Sequence, residues 1–200
     1  MLDFIAIGDC GIDTLVDIHD ASVHCDIDKS HCELTLRYAD KILVEGMTSK
    51  TAYNGMNAAV GAARLGLKTA LFAMVGGDAS GERIMGVLKR EKISPQLMSV
   101  EKKLRTNASV VLNYQSERTI LVYHEDFRYR LAKIPPVKWI YLTTMGPRYP
   151  GVYATVAKHV AKAKTKLAFN PGSMQLRSGV QKLKPILRQT NILFLNKEEA

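Results

Sequence analysis

The sequence predicts an α/β fold, a three-layer arrangement of a parallel β-sheet between helices, with a small separate β-sheet inserted into it. Short apolar runs of the buried-strand type alternate with helical segments, which is typical of a parallel sheet covered on both faces. Two stretches with polar and apolar alternation, about 13–48 and 104–125, interrupt this rhythm and indicate half-exposed strands. We therefore predict a single α/β domain over residues 1–200 that carries the two stretches as its own small sheet.

The individual elements follow from local patterns. Buried parallel strands are predicted at 4–8, 68–77, 138–144, 166–170 and 191–196. A helix is predicted at 58–65, and Gly66 ends it. A second helix is predicted from a cap at Asp78 or Ser80 to about Glu91. Two more helices are predicted at 149–163 and 178–189. In the two interrupting stretches, 33–44 is predicted to form half-exposed strands, and 106–124 is predicted to form a hairpin that turns at "QSE".

Composition limits the function classes. The chain has 200 residues, 46% hydrophobic and 24% charged, which is enough for one sizeable core. Its apolar runs are too short to cross a bilayer, and its N-terminus lacks the basic region and cleavage site of a signal peptide. Three cysteines, an odd count without framework spacing, favour a reducing compartment, so we expect a cytoplasmic protein.

The formal net charge of +9 raises the question of a nucleic-acid partner. The basic residues are scattered, and no basic run is interleaved with aromatic residues that could stack on bases. The densest cluster follows one predicted helix and its exit, at Lys158, Lys162, Lys164 and Lys166. We interpret it as a solvated face, and expect no nucleic-acid binding. Attraction of phosphorylated small molecules is a milder use of the same charge.

The segment "TAYNGMNAAVGAARLG" (51–66) combines two asparagines with an unusually bare helix. Asn54 and Asn57 are three residues apart and face the same way at a helix start. Their amides offer the donors and acceptors that hydroxyl groups need, and the helix N-terminus adds a favourable dipole. Small residues beside them would admit a ligand: Gly55, Ala58, Ala59 and Gly61. In the alternative interpretation, Asn54 caps the helix and the small residues pack on a sheet.

Two further segments follow predicted strands. "GDCGID" (8–13) places Asp13 after the first strand, where its carboxylate could accept hydrogen bonds from two hydroxyls of a polyol. Asp13 could equally be a solvated loop residue, and the segment is not the G-x-G-x-x-G of dinucleotide sites. In "VGGDASGERI" (75–84) the glycines permit a tight turn, and Asp78 is best interpreted as a helix cap.

Metal-binding patterns are weak. "HCDIDKSHC" (24–32) repeats His-Cys, but Cys25 and Cys32 do not have the two-to-four spacing of structural zinc sites, so no zinc is expected there. Asn196 and Glu199 in "NKEEA" stand three apart just after a strand, which suits phosphate and hydrated Mg²⁺. His124, at the end of the predicted hairpin, could face a ligand or solvent.

In this order, and over nearly the whole chain, these segments resemble the ribokinase-like, or PfkB-type, carbohydrate kinases. The segments are "IAIGDCGID", "NGMNAAVGAARLG", "VGGDASG", "NASVVLNYQSERTILVYH", "FNPGSMQLRSG" and "NKEEA". The resemblance implies an α/β body that binds sugar and ATP, and a small β-sheet lid, about 13–48 and 104–125, that closes over the sugar.

The resemblance also implies roles for individual residues. Asp13 matches the family's hydroxyl-binding aspartate and Asn57 its sugar-binding asparagine, with Asn54 and Gly55 as weaker candidates for the same substrate site. Asn196 and Glu199 match the N-x-x-E motif that organises the ATP phosphates and Mg²⁺, and Glu199 would hold the metal through water.

Two departures from the family pattern bear on substrate and activity. The family has a Gly-Gly pair ahead of the asparagine helix, where this chain has Ala52-Tyr53, so Tyr53 would crowd or reshape the sugar pocket. The family's second signature, D-T-x-G-A-G-D, which carries the catalytic aspartate base, does not occur in the 200 residues. We therefore expect an N-terminal portion whose catalytic base lies beyond residue 200, and which is inactive by itself.

The predicted function is that of an ATP-dependent kinase that transfers the γ-phosphate to a sugar hydroxyl. A nucleoside kinase of the same family, with Tyr53 stacked on the base, is the nearest alternative. A catalytically inactive sugar-binding or regulatory protein is an alternative from another class. A small-molecule partner is expected, with no membrane partner, and a homodimer through the lid is implied by analogy.

Overall fold

A computed structural model describes residues 1–28, 31–197 and 199. In chain order, the strands are β1 (Leu2–Ile7), β2 (Gly11–Ile18), β3 (Ser22–Cys25), β4 (Cys32–Thr35), β5 (Val44–Ala52), β6 (Thr69–Phe72), β7 (Met74–Gly76), β8 (Ser99–Glu101), β9 (Asn107–Tyr114), β10 (Glu117–Tyr123), β11 (Val137–Leu142), β12 (Lys166–Phe169) and β13 (Ile192–Leu193). The helices are α1 (Asn54–Arg64), α2 (Ala79–Arg90), α3 (Pro150–Lys162), α4 (Ser173–Arg177) and α5 (Val180–Leu187).

The chain divides into two compact units. The first unit consists of Met1–Gly11, Thr51–Asn107 and His124–Ala200, and the second unit of Ile12–Lys50 and Ala108–Tyr123. The interpretation of the second unit as a lid stays a prediction.

The first unit is built on a five-stranded sheet in the order β13-β12-β11-β1-β6. All four neighbouring pairs are parallel, with Ile5 of β1 opposite Ile140 of β11 and Ala70 of β6. The predicted α/β class with a parallel sheet is therefore confirmed.

The core of the first unit lies against this sheet. Ile5 and Ile7 of β1 are fully buried and join side chains of α3 and α5 in one hydrophobic cluster. Ala6 points to the other face of the sheet because side chains alternate along a strand, and it is also fully buried. Both faces of β1 are covered, which explains why its sequence is a continuous apolar run rather than an alternating one.

Most of the predicted elements of the first unit are present, with differences at their ends. Helix α1 begins at Asn54, one turn before the predicted start at Ala58. The predicted strand 68–77 is divided at Ala73 into β6, in the large sheet, and β7, which pairs with β8. Helix α4 was not predicted because five residues are too few to display a helical period.

The second unit contains most of a four-stranded sheet, in the order β10-β9-β2-β5, and the two-stranded sheet β3-β4. The predicted hairpin 106–124 is confirmed as antiparallel β9 and β10, with Tyr114 opposite Glu117. The two turn residues, Gln115 and Ser116, both have positive φ, as the tightest hairpin turns require.

The strand prediction over 33–44 was largely wrong. Only β4 lies there, while residues 36–43, all of them described, are irregular. The nine-residue strand β5 (Val44–Ala52) follows instead and was not predicted. Most of its residues are exposed and polar, so its hydrogen bonds to a neighbouring strand, rather than an apolar face, define it.

Cys25 and Cys32 form a disulfide in the second unit, while Cys10 is a buried free thiol. The interpretation of the cysteines as lacking a disulfide spacing was therefore wrong. The two residues are direct cross-strand partners in the β3-β4 pair, and this register, which spacing along the chain does not reveal, brings them together.

No helix within the described residues is both long enough and apolar enough to cross a bilayer.

Candidate functional site

The carboxyl ends of the parallel strands form the candidate site of the first unit. Along the chain, β6 lies on one side of β1, whereas β11, β12 and β13 extend the sheet on its other side. This reversal places the topological switch point beside β1, where ligands bind in open α/β sheets. Gly8 and Asp9 follow β1 there, Thr144 follows β11, and the Asp9 N–H donates to the Thr144 carbonyl at 2.9 Å.

Helix α1 approaches this edge closely through Gly55. A Cβ at Gly55 would lie 2.9 Å from the carbonyl oxygen of Asp9 and 3.0 Å from that of Gly8. The bare start of the helix therefore serves close helix–sheet packing, as the alternative interpretation held. Gly61 has no such role, because a Cβ there would meet no described atom within 4 Å.

The asparagines of α1 lie at its exposed N-terminal turn. Tyr53, not Asn54, is the N-cap residue, so the capping interpretation of Asn54 was wrong. The side chains of Asn54 and Asn57 are both exposed, and the Asn57 N–H donates to the Tyr53 carbonyl at 2.9 Å. Both side chains are therefore accessible to solvent, and their binding of a ligand stays a prediction.

Asn170, directly after β12, is a polar hub that the sequence interpretation did not single out. Its Oδ1 accepts hydrogen bonds from the Tyr141 hydroxyl at 3.2 Å and, at 3.5 Å, from the Thr143 hydroxyl and the Asn54 amide. Its Nδ2 donates to the Phe194 carbonyl at 2.9 Å. An asparagine immediately after a buried strand is the signal that could have identified it.

Asp9 is the most buried acid of the first unit's site. Its side chain is 1% exposed, and Oδ1 accepts a hydrogen bond from the Tyr129 hydroxyl at 2.7 Å. The Tyr129 oxygen in turn accepts the Gly146 N–H at 3.0 Å. Burial, and then the Asp9 charge, raise the pKa of Tyr129, so this hydroxyl keeps its proton and donates to Asp9.

The second Asp9 oxygen faces a histidine. Oδ2 lies 3.2 Å from Nδ1 of His124, whose side chain is 19% exposed. In the described part of the chain, only three buried side-chain nitrogen or oxygen atoms lack a hydrogen-bond partner: Asp9 Oδ2, His124 Nδ1 and Gln175 Oε1. The sequence suggested that His124 could face a ligand but gave no partner for it, since 115 positions separate it from Asp9.

Tyr53 completes the group in an unusual backbone conformation. Its φ of 76° and ψ of 153° lie in a region that only glycine adopts easily, at a cost of about 1–3 kcal/mol for other residues. The ring lies over Gly11, where an added Cβ would come within 2.5 Å of Cε2. The ring also meets His124 edge-on, with 6.0 Å between the ring centroids.

Asp13 lies in the second unit, on strand β2, and not in a loop as the alternative interpretation held. Its side chain is half-buried. Burial raises the pKa of the Asp13 carboxyl, while a hydrogen bond from Ser109 and the charge of Arg118 act in the opposite direction. Joint binding of one ligand by Asp13 and Asn57 stays a prediction.

Asn196 and Glu199 are brought together at the end of the chain. The Glu199 N–H donates to Asn196 Oδ1 at 2.8 Å, and the Asn196 N–H donates to Glu199 Oε2 at 3.1 Å. This reciprocal pattern is that of a helix capping box. The Glu199 carboxylate and Asn196 amide oxygens are of the type that hydrated Mg²⁺ takes, so they fit the predicted metal role chemically.

Among the residues that the structure describes, no group of three or more His, Cys, Asp or Glu is arranged to hold a metal ion. Asp78 caps α2 as predicted, because its Oδ1 accepts the Gly81 N–H at 2.8 Å.

Comparison with known proteins gives one family and several similar structures. Residues 21–200 match the family described as pfkB family carbohydrate kinase. The nucleoside kinase of Methanocaldococcus jannaschii, an archaeal member of the ribokinase family, is similar with a TM-score of 0.77 and 19% identity, over 100% of this chain and 62% of that one. The ribokinase of Cryptococcus neoformans var. grubii, in complex with ADP, gives 0.76 and 17%, over 100% and 60%.

The nucleoside kinase of Burkholderia thailandensis, in complex with inosine, gives a TM-score of 0.77 and 12% identity, over 98% of this chain and 60% of that one. The chain thus spans about six tenths of the length of these three proteins. No curated protein matches the sequence. At such identities the similar structures establish the ribokinase-like fold, and not a substrate.

Proposed function

Since the chain belongs to the pfkB family of carbohydrate kinases, we propose that it forms the acceptor-binding part of an ATP-dependent kinase that phosphorylates a sugar hydroxyl. One observation carries the proposal. The asparagine-bearing start of α1 lies directly against the carboxyl end of β1, with Gly55 close to the Asp9 and Gly8 carbonyl oxygens. Polar side chains on a helix N-terminus are thereby held at the switch-point edge, where a small polar ligand binds.

In this proposal, Asn57 and Asp13 bind hydroxyl groups of the acceptor. The Asn57 amide donates and accepts, whereas an ionised carboxylate at Asp13 accepts from two adjacent hydroxyls. Asn54 is a weaker candidate for binding the acceptor substrate, because its amide already donates a hydrogen bond to Asn170. Gly55 contributes by its lack of a side chain.

Asn196 and Glu199 would organise the ATP phosphates, and Glu199 would hold Mg²⁺ through water. ATP supplies the phosphoryl group when bound. Phosphoryl transfer depends mainly on positioning and on electrostatic stabilisation, so the role of the present residues is to fix the acceptor hydroxyl and exclude water.

A nucleoside is the second candidate acceptor. The aromatic rings of Tyr53 and His124 lie next to each other beside the start of α1. A nucleobase could stack on such rings, for a gain of about 1–3 kcal/mol.

A ligand panel tests the proposal, because a ligand that binds the folded state raises the melting temperature. We expect ribose or fructose to stabilise the chain, DNA to have no effect, and Asn57→Ala to abolish the stabilisation. Gly61→Ala, in the same helix, is the matched control and should keep it. Stabilisation by nucleosides alone would favour the second candidate, and no stabilisation by any sugar or nucleoside would refute both.

Two further parts of the proposal concern the cell and the assembly. A cytoplasmic location is proposed. The exposed Cys25–Cys32 bridge opposes it, because cytoplasmic thiol systems keep such cysteines reduced, so thiol labelling in cells should find both cysteines free and an intact bridge would refute the location. Pairing of two copies through the second unit is supported by the exposed apolar side chains of β10, among them Leu121 and Val122. Light scattering of wild type and of Leu121→Lys would detect that dimer and its loss.

A further inference from the structure

We propose that His124 is an acceptor-contacting residue of the candidate site, and that Asp9 orients its imidazole so that Nε2 meets a substrate hydroxyl. The inference rests on the proposed function, since it assumes that an acceptor binds at the switch-point edge. It adds two residues to which the family resemblance gave no role.

The pair formed by Asp9 and His124 lies beside the topological switch point of the sheet. Asp9 lies two residues after the end of β1, and its Oδ1 is linked through the Tyr129 hydroxyl to the Gly146 N–H, which follows β11. The carboxylate is thus anchored on the two strands that flank the switch point. A group held there faces the region where open α/β sheets bind their ligands.

The Asp9 carboxylate is almost fully buried. Asp9 is 1% exposed, and an ionised carboxylate in such surroundings is costly unless it is paired. Tyr129 satisfies Oδ1 alone, and Oδ2 has the His124 ring at 3.2 Å. The His124 ring therefore faces the one oxygen of the buried carboxylate that has no hydrogen bond to a described atom, and the pair is not an incidental surface contact.

The Asp9 carboxylate faces one of the two nitrogens of the His124 ring, Nδ1. Asp9 Oδ2 and His124 Nδ1 are 3.2 Å apart, and neither has a hydrogen bond to a described atom. A hydrogen bond between them, once aligned, would hold the proton on Nδ1, orient the ring and leave Nε2 with a free lone pair. Because His124 is 19% exposed while Asp9 is almost fully buried, the ring lies between the carboxylate and the surface. Its outer nitrogen can therefore accept a hydrogen bond from a neutral hydroxyl, the group that a sugar or a ribose presents.

Tyr53 limits the freedom of the ring. Its edge-on contact with His124, at an interplanar angle of 84°, restricts rotation of the imidazole. Strained backbone at Tyr53 is the kind of outlier that accumulates at binding sites, where surrounding structure maintains it. The imidazole is thus oriented from two sides, by a carboxylate and by an aromatic ring.

Nuclear magnetic resonance of ¹⁵N-histidine-labelled protein tests the pair directly, since the chain has five histidines. Without ligand, His124 should show a protonated Nδ1 and an unprotonated Nε2, and Asp9→Asn should shift it to a mixture of tautomers. This readout would not change if Asp9 acted only in packing. Ribose, fructose and adenosine are then added separately, and the bound one should shift Nε2 of His124 and leave His159, in α3, unchanged.

Two substitutions separate the nitrogens. His124→Asn keeps an N–H toward Asp9 but has no atom at the Nε2 position, so it should weaken acceptor binding about tenfold, the effect of one hydrogen bond. His124→Gln, whose amide reaches the Nε2 position, should restore part of the affinity. His159→Gln is the control and should have no effect.

The outcomes distinguish this inference from the proposed function. If an acceptor raises the melting temperature but leaves the His124 signals and the affinity of His124→Asn unchanged, the inference is wrong and the proposed function stands. If none of the three probes binds, both fail. Should a variant not fold, the ligand-induced shift in the wild-type spectrum decides alone.

Discussion

Replacing Gly55 with alanine should push helix α1 away from strand β1. The new Cβ would lie 2.9 Å from the Asp9 carbonyl oxygen and 3.0 Å from that of Gly8, both main-chain atoms that cannot rotate away. Restoring an ordinary contact of 3.4 Å requires a shift of about 0.5 Å in the helix or the strand end. Overpacking of this kind costs about 1–3 kcal/mol, and the better helix propensity of alanine returns at most about 1 kcal/mol. We expect a net loss of about 1–2 kcal/mol.

Gly61→Ala is the matched control because it makes the same change in the same helix. A Cβ there meets no described atom within 4 Å, so only the helix propensity acts, and stability should rise by about 0.5–1 kcal/mol. Urea denaturation followed by circular dichroism would measure both variants. Opposite signs are the expected result. If Gly55→Ala were neutral or stabilising, like Gly61→Ala, the close approach of α1 to β1 would be refuted.

Three further predictions use the same denaturation assay. Asp78→Ala should destabilise the first unit by about 1–2 kcal/mol through loss of the α2 cap. Burial raises the pKa of Asp78, but the hydrogen bonds from Thr106 and the Gly81 N–H outweigh it and lower the pKa below 3.8. The stability from Asp78 is therefore present above pH 3.8 and lost as the pH falls through the lowered value, so wild type and variant should converge in acid, and a constant difference would contradict this. Dithiothreitol should destabilise the second unit by about 2–3 kcal/mol by opening the loop closed between Cys25 and Cys32, and it should leave Cys25→Ser unaffected; equal effects on both proteins would exclude the bridge. Asn170→Ala should cost about 1–3 kcal/mol, since the Tyr141 hydroxyl loses its acceptor, and a neutral result would contradict the hub.

The parallel sheet was predictable because burial on both faces leaves a direct mark on the sequence. Strands β1, β6, β11 and β12 are short apolar runs, and no solvent-facing position interrupts most of them. Strand β5 carries no such mark, because most of its residues are exposed and its neighbour in the sheet is distant in sequence. Periodicity reports burial, so an exposed strand is not predictable from it.

The candidate site was predictable to the extent that its residues follow strands or begin helices. Asn57 was singled out by its place at a helix start and by the family resemblance, and its binding role, like that of Asp13, stays a prediction. The pairing of Asp9 with His124 could not be predicted from the sequence, because it depends on the segment after β10 returning to the end of β1. The Cys25–Cys32 bridge escaped prediction for a related reason, since the register of β3 and β4 determines it. Contacts that depend on the course of the chain through the folded structure, or on the register of paired strands, leave no local signal in the sequence.

The departure at Tyr53 illustrates how one substitution is accommodated by a residue that is remote in sequence. The family resemblance led us to expect that Tyr53, in place of a glycine, would crowd or reshape the sugar pocket, and this stays a prediction. The ring lies over Gly11, where even a methyl group would come within 2.5 Å of it. Gly11 therefore provides space that Tyr53 fills, and His124 packs on the edge of the same ring. The strained backbone at Tyr53 would gain nothing in a purely structural helix start, since glycine would adopt it without strain. Strained backbone beside a buried carboxylate and an imidazole is typical of binding sites, which supports the proposed contact of His124 with the acceptor.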